Sequence, residues 1–279
     1  MNKRADLHTH TIASDGTCSP EENVRIAKEQ GIEILAITDH DTVAGVAEAV
    51  EAGANQGVEV VPGVEISSFA NGQDIHVLGY FVPYQSEEFQ TTLAHLREAR
   101  SERNKLIVEK LQELGIDISL ADIYARKQGT EKNVGRPHIA EELVRLGVVE
   151  SIGEAFDKYL GKDGAAYATP KRFSPQEAIK LIRSVGGVAV LAHPGIYGDD
   201  ELVEELIVFG LDGIEVWHPD HDEAAVTRYR KLAEEYGLIM TGGSDFHGWR
   251  GEEPFHAMLG SSTTVDTAVA KLQKVHQQR

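Results

Sequence analysis

The chain has 279 residues, 41% of them hydrophobic, and a formal net charge of −18. That length and apolar content suffice for one large α/β domain or two small ones with a proper core, which excludes a disordered chain. The acidic balance excludes duplex DNA as a general partner, since non-specific affinity for duplex comes mainly from Lys and Arg neutralising phosphates. No run of eighteen apolar residues and no apolar leader occurs, so a cytoplasmic protein with no membrane partner is expected.

The chain begins with a short apolar run that ends in DLHTHTIASDG, residues 6–16, which places His8, His10 and Asp15 close together. Cys18, the single cysteine, can form no intrachain disulfide and no thiolate-rich metal site, so any metal must be held by His, Asp and Glu. Ser19-Pro20-Glu21-Glu22 marks a helix start, with a capping serine, proline at the first helical position and glutamate at the third. Strands are predicted at residues 32–38, followed by Asp39 and His40, and at 58–63, followed by Glu65. A further strand at 75–81 opens on His76.

From about Ser86 to Pro170 this alternation breaks. Residues 86–115 read as one long helix or two, and 136–147 and 152–160 as short helical pieces with no strand between them. This is a helical insertion, with the barrel expected at 1–98 and 171–279 and the insertion at 99–170 covering the active site. It holds a relatively basic island of Arg97, Arg100, Arg103, Lys105, Arg126, Lys127, Lys132 and Arg136. Ser174-Pro175-Gln176-Glu177 starts another helix, and strands follow at 187–193, 212–218 and 238–243. These carry His193, His218, and Asp245 with His247 at or just beyond their ends.

Strand-then-helix alternation implies a mostly parallel sheet, doubly wound or closed into a barrel. In either form the strand ends share one face, where ligand and catalytic groups gather. Nine His, Asp and Glu residues on one rim would repel and lose hydration severely unless divalent cations lay among them. Asp39 is expected to orient an imidazole from behind. His221 is expected to be solvated, and His95, His256 and His276 to be structural or surface residues. Trp217 and Phe246 are expected in the core or beside a nucleobase.

Six segments in order, DLHTHTIASDGT, AITDHDT, PGVEIS, HVLGYF, LAHPG and GSDFHG, resemble the PHP (polymerase and histidinol phosphatase) superfamily. Within it the chain is similar to the stand-alone bacterial group of 3′,5′-nucleoside bisphosphate phosphatases and 5′-3′ exoribonucleases. The resemblance implies an α/β fold, a distorted (β/α)7 TIM-like barrel with up to three Mn2+ ions, Fe or Zn being alternatives. One ion would be held by His8, His10, Glu65 and Asp245, a second by Glu65, His76 and His193, and a third by Asp15, His40 and His247. Asp15, His40 and Glu65 count as catalytic as well as metal-ligating, and Asp15 stands where some relatives have histidine. Positions matching RSERN and GRPH imply substrate contacts from Arg100, Arg103, Asn104, Arg136 and His138; His218, at a strand end, joins them on its position alone.

The activity implied is hydrolysis of a nucleotide phosphomonoester by a metal-bound hydroxide, with no covalent phosphoenzyme. The partner is a phosphorylated small molecule, above all a nucleoside 3′,5′-bisphosphate, or the 5′ end of a short RNA. Two alternatives stand beside it: a phosphatase of histidinol phosphate or another monophosphate, and a catalytically silent PHP scaffold. Oligomeric state is not legible.

Overall fold

A computed structural model describes residues 3–126, 134–168 and 173–279, apart from the side chains of residues 99 and 100. The strands are β1 (Arg4–Asp6), β2 (Ile34–Ile37), β3 (Glu59–Ala70), β4 (Gln73–Tyr80), β5 (Val188–Leu191), β6 (Gly213–Trp217), β7 (Ile239–Gly242) and β8 (Thr264–Val265). The helices between them are α1 (Pro20–Glu29), α2 (Val46–Gln56), α3 (Glu87–Glu113), α4 (Leu120–Arg126), α5 (Arg136–Arg145), α6 (Ile152–Ala155), α7 (Pro175–Ser184), α8 (Asp200–Phe209), α9 (Glu223–Tyr236) and α10 (Asp266–His276). Both serine-proline helix starts form full capping boxes, on Ser19 with Glu22 and on Ser174 with Glu177.

The strands form one sheet in the order β7-β6-β5-β4-β3-β2-β1-β8. It curls into a nearly closed barrel, because the N–H of Leu7 donates to the carbonyl of Gly242 at 3.1 Å and that of His10 to Phe246 at 2.8 Å. All eight strands belong to it, and two-residue β8 runs antiparallel beside β1. The sheet is less uniformly parallel than the alternation predicts: β3 and β4 form an antiparallel hairpin, and β4 meets β5 antiparallel too. The reversal has a local cause. Asn71 and Gly72, the two residues of the turn, both have positive φ, +49° and +80°, as the tight hairpin turn requires.

Most of these strands carry apolar residues on both faces. Outward residues such as Leu35, Ile37, Val64, Ile66 and Leu191 pack beneath the helices, whereas Ala5, Leu7, Ile34, Ala36, Leu78, Val190 and Ile239 fill the interior with Val269 and Leu272 of α10. Each fully buried Leu or Ile contributes about 1.5–3 kcal/mol relative to exposure, so this half can support a polar rim at the other end. Helix α3 is one continuous helix that joins two cores. Phe89 and Leu93 pack on the barrel, and Ile107, Val108 and Leu111 belong to a second apolar cluster that runs to Ala168. Among the described residues no helix is long and apolar enough to cross a membrane.

Barrel closure depends on close approach at Gly243. A Cβ there would lie 2.3 Å from Cβ of His8 and 2.5 Å from its backbone nitrogen, so no side chain fits. Gly243→Ala is therefore expected to destabilise the fold by about 2–3 kcal/mol, the upper range for single substitutions, in a denaturant titration. An unchanged midpoint would show that the two chain segments close without this contact.

Candidate metal centre

Three features bring the polar side chains together at the barrel mouth. The first is the loop after β1, fastened by Asp39, whose carboxylate accepts from the N–H of Thr11 at 2.8 Å, from its hydroxyl at 2.7 Å and from the Ser14 hydroxyl at 2.5 Å. Asp39 thus shapes the loop bearing His10 and Asp15, and its partner Ser14 lies 3.4 Å from Nδ1 of His10. The second is the length of β3, which continues past the expected strand end, so that Glu65 sits within it and pairs in register with Leu78. The third is the reversal of β4, which puts His76, opposite Ser67, at the mouth although it lies near the start of its strand.

Glu65 is the hub. Its Oε2 lies 3.3 Å from Nε2 of His8, 3.1 Å from Nε2 of His10 and 3.2 Å from Nδ1 of His40. Its Oε1 lies 2.8 Å from Nδ1 of His76 and 3.2 Å from Nε2 of His193. Oδ1 of Asp245 faces the same two nitrogens of His8 and His10 at 3.2 and 3.1 Å. Asp15 faces His247 at 3.3 Å and His40 at 3.6 Å. All nine residues expected as ligands therefore meet in one place. Two of them occupy unfavourable backbone: φ is +27° at His193 and +51° at Asp245, each costing on the order of 1–3 kcal/mol.

The donor set fits divalent cations. Nε2 of His8 and of His10, Oε2 of Glu65 and Oδ1 of Asp15 are buried with no hydrogen-bond partner, although opposite groups stand close by. Buried polar atoms rarely go unpaired, and atoms that crowd a common point without donor–acceptor alignment match coordination about an ion. One atom each from His8, His10, Glu65 and Asp245 falls within 4.8 Å of the others, as do atoms of His10, Asp15, His40 and His247. His10 therefore stands between two of the expected ligand sets, and His40 approaches Glu65 more closely than Asp15.

Strong fields act on these groups. Burial opposes ionisation of Asp15, Glu65 and Asp245, yet the surrounding imidazoles overcome it and hold all three carboxyls well below the usual carboxylate range. Burial also works against charge on His10, but Asp245 and Glu65 carry its pKa to about 10. His193 goes the other way, since burial dominates and lowers it to about 4, leaving a neutral imidazole at physiological pH.

Above this floor opens a cavity of about 620 Å³, bounded by His40, Glu65, His76 and His193 on the barrel side and by Arg103, Arg136, Phe156 and Tyr167 from the helical segment. Arg136 contacts Asp74 and donates to the carbonyl of Leu160. The other expected substrate residues are placed differently. Asn104 is fully buried and donates to the Val134 carbonyl at 2.7 Å; Nδ1 of His138 accepts the N–H of Gly135 at the start of α5, and its side chain lines a smaller neighbouring cavity. Arg100, Lys127 and Lys132 lie outside the described side chains.

Four readings need correction or extension. His256, expected as a structural or surface residue, is half-buried and also lines the cavity: its Nε2 donates to Asp220 at 2.9 Å, and Asp220 and Asp245 outweigh burial to raise its pKa to about 9. His221 is buried, with Nδ1 donating to Val216 and Nε2 accepting from Gly195. His218 is buried beside Asp245, 3.5 Å from Oδ2. Glu215 was not singled out by the sequence, yet it lies fully buried against His8; an acidic residue within the apolar run of β6 was the available signal. Phe246 and Trp217 pack into the core.

Known proteins share this architecture. The chain is 36% identical to the 5′-3′ exoribonuclease of Haemophilus influenzae over 89% of its own length and 93% of that protein. It is 33% identical to the 3′,5′-nucleoside bisphosphate phosphatase of Chromobacterium violaceum, over 87% and 86% of the two chains. A crystal structure from Bifidobacterium adolescentis, provisionally described as a metal-dependent phosphoesterase, superposes with a TM-score of 0.87 at 34% identity, covering 97% of this chain and 96% of that one. The PHP domain model matches residues 6–159, more than half of the sequence and the part that contains six of the nine clustered residues. On that match, and on full-length similarity to both enzymes, the chain belongs to the PHP domain family.

Proposed function

We propose that this protein is a metal-dependent phosphoric ester hydrolase that removes a phosphate from a nucleotide, with a nucleoside 3′,5′-bisphosphate as its main substrate and the 5′ ends of short RNA as further ones. The observation that carries the reading is the convergence of nine imidazole and carboxylate side chains on the floor of a cavity whose opposite wall holds Arg103 and Arg136. The relatives named above act on these substrate classes, and all nine positions retain coordinating side chains, which disfavours a silent scaffold.

In this reading His8, His10, Glu65 and Asp245 hold one ion, Glu65, His76 and His193 a second, and Asp15, His40 and His247 a third. Oxygen and imidazole donors without thiolate suit manganese, with iron and zinc as alternatives. Bound divalent ions supply an acidified water and charge neutralisation at the phosphoryl oxygens. Glu65 has two oxygens facing different imidazoles, so it is the natural bridge between the first two sets. The neutral His193 offers a lone pair without first losing a proton.

The protein's own part is to bind and shield the substrate. Segment 99–170 acts as an insertion folded over the mouth, and its arginines take the phosphate that is not being cleaved, since a planar guanidinium donates two hydrogen bonds at once. Arg100, Asn104, His138 and His218 complete the expected substrate set: Asn104 by holding the Arg103 segment, His138 by shaping the start of α5, and His218 from beside Asp245.

Three outcomes test this. Manganese-loaded protein is expected to release phosphate from adenosine 3′,5′-bisphosphate far faster than from AMP or histidinol phosphate; release from histidinol phosphate alone would overturn the substrate reading. Glu65→Ala is expected to lower turnover by more than about 10²-fold, beyond the effect of losing an outer partner of a ligand, and to lower bound metal measured by elemental analysis. Arg136→Ala is expected to raise KM for the bisphosphate with a smaller change in kcat. Near-normal activity and metal content in Glu65→Ala would show that the ligand map is wrong.

A further inference from the structure

Glu215 lies in β6 between Ile214 and Val216 and has no solvent exposure. Its two neighbours belong to the core under the helices, so by strand alternation Glu215 turns into the barrel. There its two oxygens lie 3.1 and 3.2 Å from Nδ1 of His8, and Oε2 accepts the backbone N–H of His193 at 2.9 Å. The same imidazole of His8 presents its other nitrogen, Nε2, to Glu65 and Asp245. Glu215 therefore stands behind the ligand and not among the groups that face the centre.

This placement decides a tautomer. A carboxylate only accepts, so Nδ1 of His8 must carry a proton, and a neutral ring then keeps its lone pair on Nε2, toward Glu65 and Asp245. The bond to His193 acts on a different ligand, because that residue holds φ at +27°, a conformation unfavourable for any residue with a side chain.

We propose that Glu215 is a positioning residue of the metal centre: one buried carboxylate sets the tautomer of His8 and the backbone of His193, and so presents one ligand to each of two cation sites. The proposal rests on the metal-centre reading above and adds to it a residue outside the nine ligands.

Glu215→Gln is the sharpest probe because it keeps size and shape. Its carbonyl can still accept from His193, but its NH2 would then face Nδ1 of His8, and a donor there moves the ring proton to Nε2, the nitrogen needed by the ion. Manganese is titrated calorimetrically into metal-stripped wild type, Glu215→Gln and Glu215→Asp, and each is melted without metal. The expected result is that Glu215→Gln melts within about 2–4 °C of wild type, the shift of a change near 1 kcal/mol in a domain of this size, yet binds manganese about 10–100-fold more weakly. Its kcat falls while KM stays nearly constant.

Glu215→Asp keeps the charge but falls one methylene short of His8, and is also expected to weaken manganese binding by about 10-fold or more; it decides the matter if the glutamine variant does not melt cooperatively. Wild-type manganese affinity in either folded variant overturns the proposal. So does failure of both to fold, which would make Glu215 a residue of the fold and not of the centre. Wild-type protein that takes up no manganese overturns the metal-centre reading itself, a different result from uptake that is indifferent to residue 215.

Discussion

The constraint on which this structure depends is the crowding of carboxylates and imidazoles around Glu65 at one end of an otherwise apolar barrel. Such a cluster is costly: each group gives up hydration, and several have buried atoms without a hydrogen-bond partner. It persists because the other half of the barrel is packed with aliphatic side chains and closed by α10. Stability and chemistry are thus segregated along the barrel axis, and strained backbone at His193 and Asp245 appears where the two halves meet the loops.

Polar groups one step removed from the cluster give it its shape. Asp39 ties down Thr11 and Ser14, Glu215 holds His8 and the His193 backbone, and Asp6 accepts the N–H groups of Ser244 and Gly260. Burial pushes the Asp6 carboxyl up to about 6 even with those amides bound. The helical segment supplies two guanidinium groups, those of Arg103 and Arg136, that face the same cavity.

Much of this was legible in the residues because the signals were local. Serine-proline-glutamate capping fixes helix starts by satisfying free amides, and ligand residues just past apolar runs mark strand ends. The reversal of β4 was missed since an apolar run reads alike in both directions; the Asn71-Gly72 pair, which tolerates positive φ, was the signal that could have shown it. The cavity roles of His256 and the buried packing of His221 arise from contacts distant in sequence, with Asp220 and Gly195, which no periodicity encodes. Asn104 and His138 illustrate a different gap: a matching motif identifies residue types, but whether a side chain faces a ligand or holds a neighbouring loop is decided by packing.

The central claim is that cations belong at the point on which these side chains converge. Crystals grown with manganese, with data collected at the manganese absorption edge, measure it directly. The account predicts anomalous peaks among His8, His10, Glu65 and Asp245 and beside His76 and His193, with the Glu65 carboxylate adjacent to both. A protein fully supplied with manganese that shows no anomalous density there, or ions only at the surface, would contradict it.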